Sequence, residues 1–403
     1  MKLGTHKILW PDFLLGAIGV LSLLGQFGRI TTTLGQISLF EIGMAVFILF
    51  MAKRKTFWET LFSSKIWWGV SLWWLWTLAL SLFYMWPLNV SSDWQSLAYL
   101  LRIALFLTFA ASVSVWKTSR WRVHSITRLL SVWFTAWAAL GIGQYLFLPD
   151  TRILATLGWD DHLSRAFATL FEPTFYGVLM SLASVWFFQL GVRVKRKQQL
   201  VYAILFAVAL IAMSLSFSRL AYVGYVAGIG ALALAQKQRR VLLAIPILVV
   251  ALVLLPKDGG GAGQNLLRTQ SITQRVEHTA YQTHDWQVTE MLLGRGWNLE
   301  AFAEKRNAAF QKQYGEHPEL NKANNARMVD NQYLQIVLTS GGVGAGILLG
   351  TLFFSWKNSS RRQWPYWCVL AVAGMGAPVI FYPWIVLASI FIVSEHDSKV
   401  FVP

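Results

Sequence analysis

The sequence is poor in charge, in acid and in cysteine. Only 13% of its 403 residues are charged, well below the roughly 25% of a soluble domain. Cysteine occurs once, at Cys368 inside an apolar run, which rules out an internal disulfide and leaves the compartment unreadable from cysteine usage. Seven scattered histidines give neither HExxH nor another paired metal-ligand spacing. The Walker A lysine loop and the GxSxG nucleophile elbow are both missing. Phosphate recognition would therefore fall to arginines, and no metal and no cofactor is expected.

Apolar sequence fills the space that charge leaves. Hydrophobic residues make up 55% of the chain, and tryptophan occurs 21 times. Runs of about 20 apolar residues, enough to cross a bilayer, recur throughout. The first, Ile8–Phe27, is followed by so many others that a cleavable signal peptide is not expected.

The net charge is +16, which alone would admit a nucleic-acid partner. Its placement argues for topology instead. Cations cluster at Lys53–Lys55 with Lys65, at Lys117, Arg120, Arg122 and Arg128, and at Arg193 and Lys195–Lys197. Further clusters are Lys237, Arg239 and Arg240, then Lys357, Arg361 and Arg362. They occupy every second connection, the positive-inside pattern, so no nucleic acid is expected. With Lys2 and Lys7 cytoplasmic, spans are expected near 10–27, 37–52, 66–86, 97–115, 129–148, 173–191, 199–217, 220–236, 241–255, 331–355, 365–380 and 382–395. The last two are short pieces divided by Ala377-Pro378 and Pro383, a tight hairpin or a single span with a re-entrant segment. The expected fold is all-α, a polytopic integral membrane protein with about 12 transmembrane helices and one long helical extracytoplasmic loop.

That loop, residues 256–330, is the one long polar stretch between spans 1–9 (residues 1–255) and spans 10–12 with the cytoplasmic C-terminus (331–403). It holds nine Lys/Arg and nine Asp/Glu, so it is neutral. Gly259–Gly261 opens it, and Leu299, Phe302, Ala303, Phe310 and Tyr314 suit one face of a helix that lies on the membrane or caps a cavity. After it, Gly342, Gly346 and Gly350 repeat at i+4, a spacing that allows close helix packing.

Charges at the edge of spans call for a partner or a function. Arg219 ends the run Ser216-Phe217-Ser218 between two apolar helices, where its fork of donors suits phosphate oxygens or snorkels to the interface. Arg102 suits an anionic site or, in preference, a buried pair with Glu41. Asp330, at the entry to span 10, suits an N-cap or a general base acting on a sugar hydroxyl.

Three local patterns together resemble the bacterial O-antigen ligase and polymerase family of membrane glycosyltransferases. They are Arg165-Ala166-Phe167-Ala168-Thr169-Leu170-Phe171-Glu172-Pro173-Thr174; Ser216-Phe217-Ser218-Arg219; and Ser271-Ile272-Thr273-Gln274-Arg275 leading through Trp286 to Leu293-Gly294-Arg295-Gly296-Trp297-Asn298. The third is completed by Asp330-Asn331-Gln332-Tyr333-Leu334 and Gly341-Gly342-Val343-Gly344. The resemblance spans about residues 160–350; the first 150 match only in hydropathy.

The resemblance implies a metal-independent, GT-C-like enzyme in the bacterial inner membrane, its site facing the periplasm or cell exterior. The donor would be a glycan on undecaprenyl pyrophosphate, and the acceptor a second lipid-linked glycan or lipid A-core. Membrane lipid and a chain-length regulator are the other partners implied. Arg219, Arg275 and Arg165 would hold the pyrophosphate, Asp330 and Glu172 would supply carboxylates for catalysis, and Asn331 and Tyr333 would position the acceptor. Ligases of the family carry a histidine where this chain has Asp330, which favours a polymerase over a ligase. A small-anion transporter and a structural assembly partner are the readings from other classes.

Overall fold

The structure, a computed structural model, describes residues 10–32, 35–88, 94–117, 120–152, 162–255, 286–297 and 331–396, with residues 154, 264, 273, 276, 279, 280, 283 and 329 between them. The described residues form an all-α, multi-span membrane architecture. The helices are α1 (Trp10–Ser22), α2 (Leu39–Ala52), α3 (Lys55–Ser63), α4 (Lys65–Leu88), α5 (Trp94–Trp116) and α6 (Arg120–Phe147). They continue with α7 (Pro173–Gly191), α8 (Arg196–Leu215), α9 (Arg219–Gln236), α10 (Ala244–Val253), α11 (Val288–Leu293), α12 (Gln332–Asn358), α13 (Trp364–Ala373) and α14 (Pro383–His396). Six of them, α4 to α8 and α12, are long and apolar enough to cross a membrane.

Each expected span interval holds a helix, with two departures. The interval 241–255 is a 3-10 turn followed by the ten residues of α10. Residues 364–396 form two short helices joined through a 3-10 turn at Val379–Phe381, which is the hairpin alternative. Pro365 and Pro383 fall in the first turns of α13 and α14, where a missing N–H costs nothing. The glycines at 259–261 and the helical face at 299–314 lie outside the described residues.

The cationic connections gather at one end of the bundle. There the Lys117 ammonium donates to the Ser394 carbonyl at 2.9 Å, and the Gln189 amide to the Arg362 carbonyl at 3.0 Å. At the other end, the Gln26 N–H donates to the Thr169 carbonyl at 2.8 Å and the Gln332 N–H to the Gly374 carbonyl at 2.9 Å.

That second end also carries an antiparallel hairpin, β1 (Arg29–Thr32) and β2 (Gly35–Ser38), which the span pattern does not anticipate. A capping box closes it onto α2: the Ser38 N–H donates to Glu41 at 2.8 Å. Glu41 also receives Arg102 from α5 at 2.6 Å, and their side chains are 4% and 13% exposed. This is the preferred pairing for Arg102, and its burial accounts for a charge in a span.

Helix α12 is broken. Gly341 sits at φ 64° and ψ −175° in the middle of it. Gly342, Gly346 and Gly350 do not pack closely, contrary to the ladder expectation; all three face outward, and a Cβ on Gly346 or Gly350 would meet nothing within 4 Å. Close packing falls instead to Gly69 of α4 against Thr351 and to Gly344 against Ser340 and Trp76.

Candidate functional site

Two of the three sequence patterns meet at a turn. Residues 165–172 lie against the α8–α9 connection, where the Ala166 N–H donates to the Leu215 carbonyl at 2.8 Å and the Arg165 Nε to the Ser216 carbonyl at 3.1 Å. Arg165 is buried, so it braces the turn from beneath. Within the turn the Ser218 hydroxyl caps α9, accepting from the Ala221 N–H at 3.4 Å. Arg219 is the first residue of α9 and is partly exposed. A cation there opposes the helix dipole, so helix stability does not explain it.

Backbone strain concentrates in the same place. Of the five non-glycine residues with positive φ among the described residues, four are Ser164, Ala168, Phe171 and Phe217. Each costs on the order of 1–3 kcal/mol and persists only where its surroundings over-determine it. Upstream, the connection from α6 closes on itself: Asp150 bridges to Leu163, and the Thr151 hydroxyl donates to the His162 carbonyl at 2.7 Å. The hydrogen bond from Arg152 holds the Asp150 carboxyl down at about 2.

Glu172 is the N-cap of α7, with one carboxylate oxygen accepting from the Thr174 N–H at 3.1 Å and Pro173 following it. The cap of α12 is Asn331, whose side-chain oxygen accepts from the Tyr333 and Leu334 N–H groups at 2.9 and 3.2 Å. Asn331 is therefore the N-cap of α12. The Tyr333 hydroxyl donates to the Ala371 carbonyl at 2.8 Å, tying α12 to α13. Asp330 and Arg275 lie outside the described residues.

The third pattern explains the break in α12. The Arg295 and Gly296 N–H groups donate to the Leu338 and Thr339 carbonyls, each at 2.9 Å, and the Trp76 indole donates to the Ser340 carbonyl at 2.9 Å. Three consecutive carbonyls that would accept within an unbroken helix are thus satisfied from outside it, as a membrane environment demands. The segment is held further by the Trp297 N–H donating to the Ser81 hydroxyl at 2.8 Å and by Arg295 bonding Glu290 at 2.7 Å. Trp297 is fully buried.

Phe381 and Tyr382 join the two halves. The Phe381 ring lies 5.0 Å from that of Trp297, and the Tyr382 ring stacks at 3.8 Å on Phe175 of α7. Consecutive residues thus bring the end of the polar segment and the mouth of α7 to one end of the bundle.

Sequence reasoning passed over one cation here. Arg29 lies with its guanidinium 5.3 Å from the Trp384 ring and donates to the Gln36 side chain at 2.8 Å. A lone arginine after an apolar run reads as a flank of a span, and nothing in the spacing marks it.

This helical, multi-pass architecture, with arginines and strained turns gathered at one end, is that of a membrane protein. Residues 203–349 match a family model described as O-antigen ligase, and that segment is similar to the O-antigen ligase and polymerase family. The match takes in the Arg219 turn, the polar segment and the break at Gly341. It supports an enzymatic, glycan-processing role and implies lipid-linked glycan substrates. It names the ligase, so it backs that activity better than the polymerase favoured by Asp330. No curated protein matches the chain.

Proposed function

We propose that this protein is a membrane glycosyltransferase that passes a glycan from undecaprenyl pyrophosphate to lipid A-core or a protein acceptor. The family match over residues 203–349 carries this reading, since it covers the turn and the segment that hold most of the proposed site. The twelve-span topology, with the cationic end cytoplasmic and the Arg219 end outside, belongs to the same proposal.

In the reaction an acceptor hydroxyl attacks the anomeric carbon. A new carbon–oxygen bond forms, the bond to the pyrophosphate oxygen breaks, and its electron pair leaves with the lipid pyrophosphate. Charge develops on that leaving group, so fixed cations lower the barrier. Arg219 and Arg275 take this role, with Arg165 holding the Arg219 turn in place. Asp330 receives the hydroxyl proton. Glu172, with one oxygen used as a cap, keeps the other for the acceptor, and Asn331 and Tyr333 fix the entry of α12 beside Asp330. No metal ion takes part in this scheme.

Polymerisation of lipid-linked repeat units is the second reading, favoured by Asp330 at the position where ligases carry histidine. Purified protein given lipid-linked glycan alone separates the two. Product only on adding lipid A-core or protein supports the ligase; a ladder without either supports the polymerase.

A further inference from the structure

The hairpin exposes apolar residues at one end of the bundle. Strand residues alternate between faces. Ile30 pairs with Ile37, and both are exposed. The opposite face carries Arg29, Thr31, Gln36 and Ser38; Thr31 and Gln36 are exposed, Ser38 is buried, and the half-buried Arg29 meets Trp384. Arg102 extends this polar surface, bonding the Gln36 carbonyl and Glu41 and lying 5.0 Å from the Tyr99 ring.

The charges on this surface do not balance. Glu41 is occupied by Arg102 through both of its oxygens, at 2.6 and 3.3 Å, and it also accepts from Ser38. Arg29 has a neutral amide and an aromatic face as its partners, while its Nε is shielded from solvent and makes no hydrogen bond. Burial pushes the Arg29 pKa down and the positive Arg102 nearby adds to that, while the Glu41 carboxylate acts the other way. A guanidinium stays charged all the same, and Arg29 and Arg102 share the single Glu41 carboxylate, which leaves this surface with an excess of positive charge.

We propose that Arg29, with Gln36 and the edge of the Arg102–Glu41 pair, is a second oxyanion subsite, separate from the Arg219 turn. It takes a carboxylate or phosphate group borne by the glycan substrate. The guanidinium fork fits either group. The inference rests on the glycan-transfer reading for the source of the anion, but the subsite itself is defined by binding.

The test uses the full chain in nanodiscs and inorganic pyrophosphate as the probe, with binding measured by calorimetry. With Arg219→Ala in place to remove the first site, residual binding is expected, and adding Arg29→Gln should weaken it at least tenfold. Adding Arg29→Lys instead, which keeps the charge and loses the fork, should weaken it less. Absence of residual binding in Arg219→Ala, or residual binding indifferent to Arg29→Gln, overturns the subsite. Equal affinity in nanodiscs of phosphatidylcholine and in those containing phosphatidylglycerol supports a substrate-borne anion. Competition by phosphatidylglycerol that disappears with Arg29→Gln overturns that source and assigns the subsite to a lipid headgroup. Because none of these readouts involves glycan transfer, a failed transfer assay and a failed subsite remain distinguishable.

Discussion

Gly294 and Gly341 lie backbone against backbone, each in a conformation open almost only to glycine. Gly294 has φ 94° and ψ 173°, and Gly341 has φ 64° and ψ −175°. A Cβ on either would fall 2.5 Å from the backbone nitrogen of the other. One glycine ends the polar segment's short helix and the other breaks a membrane helix, so the contact locks the segment into the break.

Substituting either glycine should therefore release the segment. Gly294→Ala or Gly341→Ala imposes backbone strain of about 1–3 kcal/mol, before counting the clash. Both variants should melt at lower temperature, become sensitive to protease within 286–297, and lose transfer. Gly346→Ala, with open space around its Cβ, should melt no lower than wild type.

Trp76 tests the same contact from the other side. Trp76→Phe keeps a ring in place but removes the donor to the Ser340 carbonyl. An orphaned carbonyl at membrane depth should cost about 1–3 kcal/mol. Thermal unfolding of the detergent-solubilised protein reads this directly.

Arg165 and Arg219 should separate into different kinds of defect. Arg165→Ala removes a buried donor to the Ser216 carbonyl and should lower both stability, by about 1.5–3 kcal/mol, and activity. Arg219→Ala should leave the melting temperature near wild type and cut turnover by about a hundredfold or more. An unchanged melting temperature in Arg165→Ala would remove it from the bracing role.

Variants at the entry of α12 should separate the cap, Asn331, from the proposed base, Asp330. Asn331→Ala should cost roughly 1 kcal/mol of stability through loss of the cap. Asp330→Asn should abolish transfer with little change in melting temperature. Retained activity in Asp330→Asn would leave the proton to Glu172.

Much of this layout was legible in the sequence because hydropathy and caps are local signals. Glu172-Pro173 and Ser218-Arg219 mark helix starts, and Arg102 called for a buried partner that proved to be Glu41. Other features depend on tertiary contacts that no local pattern encodes. The glycines after Thr339-Ser340 read as a packing ladder, yet Gly341 is a break at which the Leu338 and Thr339 carbonyls accept from Arg295 and Gly296 and the Ser340 carbonyl from Trp76. The hairpin at Arg29–Ser38 was hidden between two apolar runs, so the inward turn of Arg29 had no visible cue. Aspartate at 330 reads as a cap, and the next residue takes that role because asparagine caps equally well.

The most direct test is transfer by purified protein from an undecaprenyl-pyrophosphate glycan, with and without lipid A-core, in wild type and Arg219→Ala. Product should form only when the core acceptor is added and should vanish in Arg219→Ala, with its elution and melting temperature unchanged. A ladder in the absence of acceptor, or wild-type transfer by Arg219→Ala, would contradict the account.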